Sequence, residues 1–97
     1  MPNADRQSAR WMKREDDRIL EFLREEDLAS HRLISREVFE SVSPSHVAER
    51  LAMLEYAELV SCEGWESYEL TSEEQMYLNG ELDARHQPKP TVDRVLR

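Results

Sequence analysis

Ninety-seven residues suffice for one small domain with a single core. The net charge is −8, but residues 1–14 sum to +3, residues 88–97 to +2 and the stretch between them to −13. A lone cysteine excludes an internal disulfide framework and most cysteine-based zinc sites.

The longest apolar run, residues 51–54, is one helical turn and far below membrane length. The start, MPNADRQSAR, lacks the apolar centre of a signal peptide, so a cytoplasmic protein is expected. The first ten residues are polar and read as a flexible segment, residues 1–10. From Trp11 the pattern tightens. Met12, Ile19, Leu20, Phe22 and Leu23 recur at helical spacing, and Asp16 and Asp17 suit a helix N-terminus. The first helix is predicted over residues 15–26, and 27–30 as a plain connection. In HRLISREVFESV, Ile34, Val38 and Val42 are spaced by four and Phe39 adds to their face, predicting a second helix over 32–40.

Pro44 opens a third helix, because proline favours the first helical position and Ser43 the cap before it. That helix runs to residue 56 or 57, with Val47, Leu51 and Leu54 as its inner stripe. Two helices joined by so short a turn make a helix-turn-helix. LVSCE and SYELT then alternate as a hairpin, with Gly64 at the turn and Val60, Cys62, Tyr68 and Leu70 on one face. Cys62 reads as a small apolar strand residue of the usually buried kind. Thr71 and Glu74 match a capping box for a fourth helix, whose apolar positions are Met76, Tyr77, Leu78 and Leu82, interrupted at Asn79-Gly80. QPKP ends it. The expected organisation is a domain over residues 11–86 and a tail over 87–97.

The order is helix, helix, helix, hairpin, helix: mainly α with a small β-hairpin, an α+β winged helix-turn-helix. The pieces RWM, DDRILEFL, SPSHVAERLAMLEYAELV, YELT and YLNGELDA occur in order over residues 10–84. In these the chain resembles the small haloarchaeal winged-helix proteins described as phage-repressor-like. The resemblance implies a sequence-specific, DNA-binding, repressor-like transcriptional regulator, with double-stranded DNA as partner and a homodimer as the working form. Carboxylates abound, but none is paired with a nearby histidine at ligand spacing, so no enzyme, no cofactor and no metal is expected. The resemblance places the third helix in the major groove and carries base and phosphate contacts onto Ser45, His46, Glu49 and Arg50. Arg50 suits a guanine edge or a phosphate, Ser45 a phosphate and His46 a base acceptor. Glu49 suits a cytosine amine, or else holds Arg50 in place. Arg32 and Arg36 on the second helix, and the basic N-terminal segment as an arm or a solvated tail, complete the candidates.

Two departures from that pattern stand out. Relatives show AGLV where this chain reads Ala57-Glu58-Leu59-Val60, so Glu58 either takes a left-handed conformation or the helix ends differently. Relatives also carry basic wings, whereas here the tip is Glu63-Gly64-Trp65-Glu66-Ser67. Trp65 either packs onto the hairpin or first helix, or anchors a protein partner. The alternative to a DNA reader is thus a winged helix used as a protein–protein interaction module. The charge bears on the choice. Eleven arginines stand against two lysines, with many carboxylates, as in halophilic archaeal proteins that work in molar salt. There the screening length falls to about 3 Å and acidic surfaces scarcely repel. An ordinary acidic protein or interaction module is the other reading of the same composition. Trp11, Met12, Tyr77, Leu78 and Leu82 either form the dimer contact or close the monomer core. No two of His31, His46, His86 and Cys62 stand at metal-ligand spacing.

Overall fold

A carboxylate fixes where the first helix begins. In the computed structural model, which describes residues 8–26, 28–39, 41–64, 67–91 and 95, α1 spans Arg14–Glu26. Asp16 reaches back to accept from the Lys13 amide at 3.0 Å. That bond satisfies a helix-end donor, and Glu15, Asp16 and Asp17 together face the positive end of the helix dipole. Ile19, Leu20 and Leu23 are buried on its inner side.

The second helix, α2, spans His31–Val38 and is capped by Ser30, which accepts from the Leu33 amide at 3.1 Å. It stops two residues short of the predicted end. Phe39 is extended, and Arg18 of α1 explains why. The Arg18 Nη2 donates to the Val38 carbonyl at 2.7 Å, and its guanidinium lies 5.1 Å from the centre of the Phe39 ring. An orphan carbonyl at the helix end is thereby satisfied from another element. Ser35 then donates to the Val42 carbonyl at 2.6 Å, pinning the turn onto α2.

The third helix, α3, spans Pro44–Tyr56, with Ser43 accepting from the His46 amide at 3.2 Å as its cap. Val47, Leu51 and Leu54 are 0 % exposed, as their spacing predicts. At its end the Leu59 amide donates to the Leu54 carbonyl and the Glu58 amide to the Glu55 carbonyl. This is the Schellman closure, which requires a left-handed residue at the position of Glu58. Glu58 takes it, at φ 66°. The fourth helix, α4 (Ser72–Leu78), ends by the same pair of bonds, but there Gly80 takes the left-handed position.

Strands β1 (Val60–Glu63) and β2 (Ser67–Leu70) pair antiparallel, with Val60 opposite Leu70 and Cys62 opposite Tyr68. Val60 is buried, and Tyr68 and Leu70 pack partly against the core. Cys62 is exposed, contrary to the expected burial. It shares Val60's face but stands two residues further along β1, toward the turn of the hairpin. The connection before α2 is not plain loop. Ala29 and Tyr68 exchange backbone hydrogen bonds of 3.1 and 2.9 Å, adding a one-residue third strand to the hairpin.

Thr71 caps α4 by accepting from the Glu74 amide at 3.1 Å, and its hydroxyl donates to the Glu58 carbonyl at 2.8 Å. Tyr77 and Leu78 are buried, but Met76 is 43 % exposed and lies off the inner face. Tyr77 and Leu78 are buried in the core, and Trp11, Met12 and Leu82 are partly buried against it. The Tyr77 hydroxyl donates to Asp17 at 2.9 Å, tying α4 to α1. After a single 3₁₀ turn at Ala84–His86, Gln87 donates to the Ala57 carbonyl at 3.1 Å. Packing thus reaches beyond residues 11–86 on both sides, to buried Ala9 and Pro90. The result is the expected α+β winged helix-turn-helix.

Candidate nucleic-acid interface

With Val47, Leu51 and Leu54 turned inward, the helical period decides what α3 shows outside. At about 100° per residue, Ser45, Glu49, Ala52 and Tyr56 fall opposite the inner stripe, with Ala48 beside them. Ser45, Glu49 and Tyr56 are exposed, and Ala48 and Ala52 are half-buried. This ridge is narrow, because three of its five side chains are alanine or serine. Ala48, Ala52 and Tyr56 were absent from the sequence-based candidates, although the same helical wheel contains them.

Arg50 is a correction. It is 6 % exposed and does not extend from the outer face. Its Nε donates to Asp16 Oδ1 at 2.9 Å and its Nη2 to Asp16 Oδ2 at 2.7 Å. Nη2 also donates to the Trp11 carbonyl at 3.1 Å. The guanidinium lies 6.0 Å from the centre of the Trp11 ring, at the outer range of a cation–π contact. The Asp16 hydrogen bond raises the Arg50 pKa above its ordinary value, against the opposing effect of burial. Arg50 therefore does not reach the guanine edge or phosphate expected of it. It stands three residues after Val47 and four before Leu54, on the flank of the inner stripe. The wheel marks it as half-inward, whereas its partner 34 positions away has no signal in the sequence.

His46 lies on the opposite flank to Ala48 and is about one-third exposed, with its Nε2 3.1 Å from Glu15 Oε2. The Glu15 carboxyl is held below its ordinary pKa, first by a hydrogen bond from its own backbone amide and then, against partial desolvation, by His46. Glu49 makes no hydrogen bond or ion pair with any described residue. Arg50 already has a carboxylate, so Glu49 is not what holds it.

On α2, Arg32 and Arg36 are exposed and four residues apart, on one side of the helix. Arg36 makes a loose, solvent-washed pair with Glu37 at 3.4 Å. An open groove of about 610 Å³ runs between the start of α1 and the end of α2, lined by Arg14, Arg18 and Arg36 with Glu15 and Glu37. Arg18 is committed to Val38, which leaves Arg14 and Arg36 as its available cations. Arg14 was not among the sequence-based candidates. Trp65 and Glu66 lie outside the described residues, so the wing tip enters only through Gly64, exposed at φ 64°.

Among the described residues no group of three His, Cys, Asp or Glu side chains could hold a metal ion, and no helix is long and apolar enough to cross a membrane. No family model matches the chain, and no curated protein does. Among solved structures it is similar to the crystal structure of the PhiH1 repressor-like protein from Haloarcula marismortui. The match has a TM-score of 0.80 and 36 % identity, and covers 88 % of this chain and 97 % of the other. Helix order, hairpin and both Schellman closures thus sit in a chain that belongs to the PhiH1 repressor-like protein family.

Proposed function

We propose that the chain is a sequence-specific DNA-binding transcriptional regulator of repressor type, cytoplasmic and homodimeric, which sets the outer ridge of α3 into the major groove. One observation carries the reading: the outer ridge of α3, where exposed Ser45 and Glu49 stand beside half-buried Ala48 and Ala52, in a chain 36 % identical to a repressor-like protein. A helix about 10–12 Å across fills a groove about 12 Å wide, so small side chains let its axis approach the bases. Ser45 and His46 are the donors of the reading face, and Glu49 is its acceptor. Arg32, Arg36 and Arg14 supply phosphate contacts. Arg50 takes a different part from the one expected, fixing the angle of α3 on α1 through Asp16. A two-fold pair extends the few base pairs that one short helix reads.

The low positive charge of this face suits molar salt. Counterion release, the main source of phosphate affinity at modest salt, fades as salt rises, leaving hydrogen bonds and shape fit. One observation favours a second reading. With Arg50 withdrawn, Glu49 and Glu55 leave the outer side of α3 negative, which suits a protein partner. Retention of pooled genomic fragments, measured from low to molar potassium chloride, separates the two. The regulator retains selected sequences at molar salt. Absence of selection at every salt, with a co-purifying protein on α3, would establish the interaction module instead.

A further inference from the structure

We infer that Glu49 is a specificity-determining residue of the α3 ridge, and that it selects a cytosine on the strand it faces; this rests on the DNA-reading function proposed above. The sequence leaves Glu49 two roles, holding Arg50 or meeting a base. The structure fills the first with another carboxylate, because Asp16 takes the Arg50 guanidinium through two bonds of 2.9 and 2.7 Å. Glu49 is exposed, one turn beyond Ser45 on the same ridge, and no described residue bonds to it. Ala52 lies beside it on the ridge, three residues on, and its short side chain does not hold Glu49 away from a surface the helix approaches.

An ionised carboxylate only accepts hydrogen bonds. It is repelled by phosphates, so at a DNA surface its favourable place is over base edges. In the major groove the donors are the cytosine N4 amine and the adenine N6 amine. Adenine sets its N7 acceptor beside that amine, and guanine and thymine offer acceptors where the donor is needed. Cytosine's own edge presents a donor and no acceptor, the neighbouring O6 belonging to the paired guanine. The same geometry makes wrong bases costly, since a carboxylate desolvated against an acceptor has no compensation. Selectivity here thus comes from exclusion as much as attraction, and it persists at high salt because both effects act over one bond length.

The test uses the full chain and a random-sequence duplex library, selected in potassium chloride at molar concentration. Wild type, Glu49→Gln and Glu49→Ala are compared. The wild type enriches one C·G pair per half-site, preferring it over the other pairs by about 5- to 100-fold, the discrimination typical of one good base contact. Glu49→Gln moves that position to adenine, which glutamine meets through N6 and N7 together. Glu49→Ala loses the preference there and keeps it elsewhere in the site. If all three proteins select the same site with the same preference at every position, Glu49 reads nothing and the inference falls while the regulator stands. If the wild type enriches no sequence, the regulator reading falls and takes Glu49 with it.

Discussion

Glu58 shows how one residue can hold a backbone conformation that favours glycine without changing the fold. Its left-handed backbone at φ 66° costs a non-glycine residue roughly 1–2 kcal/mol. The Schellman bonds and the Thr71 hydroxyl on the Glu58 carbonyl hold it there. Glu58→Gly is therefore expected to raise stability by about 1 kcal/mol in urea unfolding, the strain relieved being partly offset by glycine's extra unfolded-state freedom. The Arg50–Asp16 pair has the opposite character. Breaking it from one side with Arg50→Met leaves a buried carboxylate and is expected to cost about 3–5 kcal/mol. The double variant Arg50→Met with Asp16→Asn recovers part of that loss, read from the same denaturation curves. A third residue sets a pH limit. Asp83 has its pKa lowered to about 2 by hydrogen bonds from the Arg85 side chain and backbone. A lowered folded-state pKa means the contribution is present above the unfolded value and vanishes as pH falls through the folded one. The Asp83 carboxyl resonance should accordingly titrate with a midpoint near 2, and the Asp83–Arg85 contact should survive to that pH.

The caps of α3 and α4 were the legible part, whereas Ser30, which caps α2, was read as part of a connection. Ser43, Pro44 and the Thr71–Glu74 pair mark helix starts by local chemistry, so α3 and α4 begin where the sequence predicts. The end of α2 was not legible, because Arg18 sets it from across the fold. The one-residue strand at Ala29 was hidden for the same reason, as its partner Tyr68 lies 39 positions on. The candidate site divides along this line too. That Ser45 and Glu49 face outward follows from helical period alone, whereas the withdrawal of Arg50 depends on Asp16, a long-range partner. Among the caps, Thr71 carries more than one link. It accepts from Glu74 and donates to Glu58, joining the start of α4 to the end of α3. Thr71→Ala should cost toward 2 kcal/mol, against about 1 kcal/mol for Ser43→Ala, whose hydroxyl caps α3 alone. Amide hydrogen exchange then separates them further: the Thr71 variant loosens both α4 and the Leu59 amide, the Ser43 variant only the first turn of α3.

At the scale of the whole molecule, charge decides behaviour. Residues 15–87 carry −13 on a body with a radius of gyration of 12.3 Å. At about 0.1 M salt the screening length is about 10 Å, close to that radius, so carboxylates on one face still repel. At molar salt it falls to about 3 Å and the repulsion is confined to touching groups. Melting temperature should thus rise with potassium chloride. Salt also strengthens apolar burial to a degree that depends on the ion, so a rise alone does not identify its cause. Surface variants do. Glu25, Glu55 and Glu81 are exposed, and their side chains bond to no described residue. Replacing all three by glutamine removes repulsion and little else. The triple variant should melt above the wild type at about 0.1 M potassium chloride and match it at molar concentration. A difference that persists unchanged at high salt would place the effect in local helix preference rather than in long-range charge. The buried Asp16–Arg50 pair, shielded from ions, should contribute equally at both salts, so the fixed angle of α3 on α1 is a property of the fold that the solvent does not set.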